Sequence, residues 1–244
     1  MASTRVPRLP VTPASNTILL DDHRFHDLLP DEDWGRLPLA IWRRFSKRFA
    51  DGETVVYVGE VDDACFSRAG WWLAQLARLI GGPLPTGTET GVPMVVTVTE
   101  DAASGGQIWT RICARTCGFP QVIHSAKRFA GPTGLEEYVG HGVSMALRIS
   151  VEHEALVFRS VGYALRVGWL RLPLPPWLTP GDLTVTHSDL GSGAFRFTLE
   201  IVHPRLGKLI RQSAIFGRPH HDVVALDPDR HSDRDGHVRH VLSP

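Results

Sequence analysis

Four residues carry the types and settings that acid–base chemistry uses: Glu200, Glu136, His124 and His141. Glu200 stands in the apolar stretch Phe197-Thr-Leu-Glu-Ile-Val202, close to Arg196 and His203. A carboxylate in an apolar strand is costly unless it is paired. Glu200 is therefore half of a structural ion pair, the plainer role, or a poised catalytic group. Glu136 opens the pair Glu136-Glu137, and further carboxylates and imidazoles lie at Glu152, His153 and Glu154. Strand alternation puts Glu152 and Glu154 on one face, yet their place in a turn exposes them to solvent. Carboxylates, imidazoles and guanidiniums converging in one cavity would suit a cofactor-free isomerase, cyclase or hydrolase.

Residues suited to recognition are the arginines and tryptophans. Three of the basic residues are lysine (Lys47, Lys127 and Lys208), and the rest are arginine. Arg111, Arg148, Arg159, Arg166 and Arg196 alternate with apolar residues. Pointing inward, they would hold a carboxylate or phosphate in the guanidinium fork; pointing outward, they form a solvated face. Large aromatics serve cores and also pockets for apolar ligands. Trp109 and Trp169 fall on strands, Trp177 in a proline-rich corner, and Trp71 and Trp72 on a helix, with Trp72 packing inward and Trp71 at a rim. The ligand-binding candidates are Trp72, Trp109, Arg111, Arg148, Arg196, Trp169 and Trp177, and the expected partner is an apolar or amphiphilic small molecule.

Other chemistries find less support. Residues four apart on a strand lie roughly 13 Å from each other, so Cys113 and Cys117 cannot reach one metal ion without a turn and read as buried or semi-buried thiols. Five of the 12 histidines lie between residues 220 and 240, where a solvated tail is the plainer reading than loose metal binding. Gly140-His-Gly142 and Gly191-Ser-Gly193 lack a strand-to-helix setting and read as turns, so no dinucleotide cofactor is expected. Lys plus Arg and Asp plus Glu both number 26 in the 244 residues, which leaves no global field to draw nucleic acid. No apolar run of about 18 residues is present, which excludes a membrane-spanning helix. A proline-broken start argues against a signal peptide, and three cysteines fit a reducing, cytoplasmic setting.

The elements that must position these residues follow from periodicity. Residues 1–30 read as a leader with four prolines, its first 15 residues loosely held. Asp31-Glu-Asp33 begins a helical stretch that restarts at Pro38. A strand over 54–61 precedes the strongest helix, capped by Ser67, with Ala69, Trp72, Leu73, Leu76, Leu79 and Ile80 at helical spacing and Gly81-Gly82-Pro83 as the stop. Strands then recur at 92–99, 107–116, 122–129, 135–139, 143–151, 155–161, 164–170, 183–187, 194–202 and 208–216, mostly joined by tight turns. Tyr163 to Leu178 is apolar and rich in Arg, Trp and Pro, and reads as a corner that lids one end of the fold. The fold class is mainly β (α+β): a long antiparallel meander curled into a barrel or half-barrel against one or two helices. One β-rich domain spans 31–219, and a polar His-, Asp- and Arg-rich tail occupies 220–244.

Several clusters in this order carry a family resemblance: Thr54 to Gly59 ahead of the Trp-rich helix and Gly81-Gly-Pro-Leu-Pro85, then Trp109-Thr-Arg111, Leu172-Pro-Leu-Pro-Pro-Trp-Leu-Thr-Pro-Gly181, Phe195-Arg-Phe197, His203-Pro204 and Gly207. Together they resemble the bacterial domain of unknown function family 4166 over about residues 54–218. The resemblance implies no settled activity and no catalytic residues. It implies a stand-alone member whose relatives are also fused to nicotinamide-dependent oxidoreductases of the saccharopine-dehydrogenase or short-chain type, so an oxidoreductase joins the expected partners. The chain departs from the pattern at Ile112-Cys-Ala-Arg115 and at Leu135-Glu-Glu-Tyr-Val-Gly140.

Overall fold

The computed structural model describes residues 20–217 except residue 83; the first 15 residues, expected to be loosely held, and the tail 220–244 lie outside the described residues. Two short strands, β1 (Leu20–Asp21) and β2 (Lys47–Arg48), pair with each other and bracket two helices, α1 (Asp31–Gly35) and α2 (Leu39–Phe45). Pro38 is the N-cap of α2, so the chain does restart there. The remaining elements are β3 (Thr54–Phe66), α3 (Arg68–Leu79), β4 (Pro93–Asp101), β5 (Gly106–Cys113), β6 (Gln121–Arg128), β7 (Glu136–Gly140), β8 (Val143–Glu152), β9 (Ala155–Val167), β10 (Leu170–Pro173), β11 (Asp182–Gly191), β12 (Ala194–His203) and β13 (Gly207–Phe216).

Ten antiparallel strands close into a barrel in the order β9, β11, β12, β13, β3, β4, β5, β6, β7, β8 and back to β9. Strict alternation decides which side chains enter it. On β4, Met94, Val96 and Val98 are buried and Val95, Thr97 and Thr99 are less so; on β12, Phe195, Phe197, Leu199 and Ile201 repeat the pattern. Closure needs a bent strand. β9 runs unbroken where the sequence pattern predicts two strands, because Val161 is an extra residue between Ser160, opposite Leu147, and Gly162, opposite Ala146. Such a bulge bends a strand without ending it. The first part of β9 pairs β11 through Leu156 to Arg159, and its last part peels off to pair β10.

The two barrel ends are closed differently. At one end residues 22–30, the described end of the stretch read as a leader, pack inward together with the two short helices. Phe25, Leu29, Trp34, Leu37, Ile41 and Phe45 are buried, and Phe25 sits edge-on to Phe45, Phe129 and Phe158 with ring centroids 5.2, 4.9 and 6.1 Å away. Arg24 fastens this plug by ion pairs to Asp22 and Glu100, both at 2.8 Å. Glu100 also holds Arg48 at 3.3 Å.

At the other end α3 lies across the rim. Ser67 caps it, its Oγ accepting from Gly70 N at 3.0 Å. The buried face of α3 is small: Gly70, Ala74 and Ala77. A Cβ on Gly70 would stand 1.9 Å from the Leu209 carbonyl oxygen, so glycine is what lets the helix rest on β13. Its C-terminal end is pinned the same way, since a Cβ on Gly82 would stand 2.3 Å from the carbonyl oxygen of Val139 on β7. Facing α3, the proline-rich corner from Leu174 to Gly181 is tied to β9: Leu174 N donates to Tyr163 O at 2.8 Å and Tyr163 Oη donates to Gly181 O at 3.2 Å. No helix of the described residues is long and apolar enough to cross a membrane.

Candidate functional site

Between α3 and the corner, the barrel interior opens into a cavity of about 570 Å³. Its walls are apolar side chains of the barrel, among them Ile123, Met145, Val185 and Leu199. Leu73, Leu76 and Leu79 of α3 with its C-cap Ile80 form one lip, and Leu174, Trp177 and Leu178 form the other. Several lip residues are left in the open: Leu76 is 59% exposed, Leu79 79% and Trp177 78%. A helix that rests on the sheet through Gly70, Ala74 and Ala77 has its larger leucines free to border the opening.

The cavity floor is polar and built by three adjacent strands. Arg111 on β5, Ser125 on β6 and Glu137 on β7 all reach it. Alternation from the inward Trp109 and Cys113 places Arg111 inside. Lys127 stands directly opposite Glu137 in the β6–β7 ladder. Glu137 is the hub: Ser125 Oγ donates to its Oε1 at 2.6 Å, Lys127 Nζ donates to its Oε2 at 3.2 Å, and Arg111 Nη2 lies 3.9 Å from Oε1. Lys127 is only 2% exposed, and its ammonium rests 4.6 Å from the Trp109 ring centroid. Below it His187 is enclosed by Phe45, Trp109, Phe158 and Phe197. Its Nδ1 has no hydrogen-bond partner among the described residues.

These surroundings fix the protonation states. Burial alone would raise the pKa of Glu137, but the charges of Lys127 and Arg111 and the hydrogen bonds from Ser125 and Lys127 outweigh it and hold the carboxyl below its ordinary range. Burial pushes the Lys127 ammonium down, Glu137 pulls it back, and Arg111 adds repulsion; the net direction is down. Burial, with the nearby charges of Arg44, Lys127 and Arg111, drives His187 well below an ordinary imidazole, so it is neutral. Tyr163 on the cavity wall is pushed up to about 12, chiefly by burial.

The residues singled out from sequence are scattered by this geometry. Arg111 lies on the floor and Trp177 on the lip, while Trp109 is buried beneath the floor, its Nε1 donating to Gln107 Oε1 at 3.3 Å. His124 borders the cavity but is exposed, alternating with the buried Ile123 and Ser125. Glu200 lies outside, on the outward positions of β12, paired to Lys208 at 2.7 Å and Arg211 at 3.7 Å. Glu136, one residue from the hub, alternates away from the cavity and pairs with Arg171. His141 is exposed in the β7–β8 turn, against Gly81. Arg148 is exposed on β8, and Arg196 pairs with Asp62 at 3.1 Å on the outer surface. Trp72, expected to pack inward, is 63% exposed, because the small residues of α3 take the buried face; Trp169 is exposed at the β9–β10 turn.

Glu137 and Ser125 on the floor, and Lys127 beside them, were not among the site residues selected from sequence, although Glu137 was noted next to Glu136. Their signal was parity: Glu137 shares a strand face with Leu135 and Val139, and Lys127 shares one with Ile123 and Ser125. Of the cysteines, Cys113 is buried on the inner face of β5, its thiol pushed up by burial, and Cys65 and Cys117 are exposed. Among the described residues no three His, Cys, Asp or Glu side chains come together as a metal site.

One family model matches residues 37–216: Domain of unknown function (DUF4166). The match begins ahead of α2, a helix that the resemblance read from residue 54 leaves out. No curated protein and no solved structure matches the chain.

Proposed function

The chain belongs to the DUF4166 family, and we propose that it binds an apolar or amphiphilic small molecule in the barrel cavity. The observation that carries this reading is a cavity of about 570 Å³ whose apolar walls continue to partly exposed leucines and a tryptophan at the mouth. Its size falls in the range of about 300–1,000 Å³ that ordinary ligand pockets occupy. Apolar lip residues left facing an open cavity gain burial when an apolar ligand enters. Service to a separately encoded oxidoreductase belongs to the same proposal and is supported by the family resemblance alone.

A cofactor-free enzyme is the second reading, because Arg111, Glu137, Tyr163 and His124, all titratable, line the cavity. The direction of the shift at Glu137 weighs against it. A general base works best with a pKa raised toward the working pH, whereas Glu137 is held low and engaged by Ser125 and Lys127. His187, the fully enclosed imidazole, does not line the cavity.

A fluorescent long-chain polyene probe tests the binding reading. It is expected to bind the full chain saturably at one site, and Leu199→Trp, which fills the cavity, is expected to abolish that binding in a folded protein. No saturable binding, or undiminished binding to the filled variant, would overturn the proposal.

A further inference from the structure

Arg111 is a buried cation whose natural partner is engaged elsewhere. It is only 6% exposed and forms part of the cavity floor. A guanidinium offers five N–H donors, yet the described residues accept no side-chain hydrogen bond from Arg111, and its buried Nε has no partner among them. Its nearest carboxylate oxygen, Glu137 Oε1 at 3.9 Å, already accepts from Ser125, and Glu137 Oε2 already accepts from Lys127. Two cations, Arg111 and Lys127, thus share one carboxylate, which leaves the floor one positive charge in excess. The other groups facing Arg111 do not offset this: the Phe197 ring lies 5.4 Å from its guanidinium carbon, and His187 is neutral. A buried charge without an opposing charge is costly.

We infer that the ligand carries a carboxylate head that seats on Arg111 at the cavity floor, with its apolar chain running along the barrel wall to the lip formed by α3 and Trp177. This deepens the binding reading and rests on it. The fork geometry suits the site: Arg111 presents parallel N–H donors that match two carboxylate oxygens. Ser125 is already committed to Glu137. An ammonium head would meet Arg111 and Lys127 as like charges, and a hydroxyl head would leave the excess charge unanswered.

The test is a displacement titration of the polyene probe by a long-chain carboxylic acid, the primary alcohol and the primary amine of the same chain length. The acid is expected to bind roughly tenfold or more tightly than the alcohol, the size of a charge-assisted hydrogen-bonded contact, and the amine most weakly. Arg111→Gln is expected to remove the preference for acid while alcohol binding stays, and Arg111→Lys to restore part of it. Equal binding of acid and alcohol to the wild-type chain would overturn the head-group inference and leave the binding reading intact. Retained acid preference in Arg111→Gln would overturn the role of Arg111. Binding of none of the three, with none of the probe, would overturn both readings. If Arg111→Gln does not fold, the three-ligand comparison on the wild-type chain decides alone.

Discussion

Replacing Glu137 by glutamine will cost this protein far more stability than replacing Lys127 by methionine, although the two residues form one ion pair. Glu137 answers two cations, Lys127 at 3.2 Å and Arg111 at 3.9 Å. At an effective dielectric of about 20 those attractions are about 5 and 4 kcal/mol. Glu137→Gln keeps the shape and a hydrogen-bonding oxygen but leaves two buried cations facing each other. Stranding a buried charge in this way costs about 3–5 kcal/mol. Lys127→Met removes one cation and leaves Arg111 and Glu137 as a neutral pair, and the thioether fills the space against Trp109 and Phe158 that the lysine stem occupied. Its cost is about 2 kcal/mol, the loss of one charge-assisted hydrogen bond. The assay is urea denaturation followed by tryptophan fluorescence, with the double variant closing a thermodynamic cycle. In a parallel thermal melt of a chain of this size, Glu137→Gln is expected to lower Tm by about 6–20 °C. If Lys127→Met proves as costly as Glu137→Gln, or costlier, the floor does not carry an excess positive charge and the reasoning fails.

Acid stability isolates His187. Its folded pKa lies well below the unfolded value of about 6.5, so below that value the unfolded chain takes up a proton that the folded chain refuses. This imidazole therefore withdraws stability as pH falls, at about 1.4 kcal/mol per pH unit, and His187→Phe, which joins the surrounding aromatics, will show a shallower decline below pH 6.5 than the wild type in paired denaturation curves. Gly70→Ala places a Cβ against the Leu209 carbonyl oxygen; it is expected to cost about 1–3 kcal/mol and to weaken probe binding as α3 lifts from β13. The β8–β9 turn holds His153 at φ 49° and Glu154 at φ 60°, positions that asparagine and glycine take readily, so His153→Asn with Glu154→Gly will raise stability by about 1 kcal/mol in calorimetry, and an unchanged or lower Tm would contradict it.

The barrel was legible because its strands alternate cleanly. Met94, Val96 and Val98, or Phe195, Phe197, Leu199 and Ile201, state their inward face in the residue order alone. The continuity of β9 was less visible, since it runs through the bulge at Val161, which looks like a strand break in a stretch ending Gly162-Tyr163. Only the first part of the plug was hidden, in a stretch whose prolines suggested a leader; Phe25 reaches the core through contacts with Phe129 and Phe158, far along the chain. The floor turned on a single step of parity. Glu136 and Glu137 are adjacent, chemically identical and both buried, yet one turns away from the cavity to pair with Arg171 and the other sits between Lys127 and Arg111. The tryptophans misled for a different reason. Hydrophobicity placed Trp72 against the sheet, but the close approach of α3 to β13 is possible only for Gly70, Ala74 and Ala77, which turns Trp72 to solvent.

The central claim is that the cavity holds a small molecule, and mass spectrometry of an organic extract addresses it most directly. The full chain, purified under native conditions, is extracted in parallel with the cavity-filled Leu199→Trp variant. An apolar or amphiphilic compound in stoichiometric amount from the wild type and absent from the variant is the expected result. An extract empty in both, or the same compound in equal amount from both, would contradict the claim.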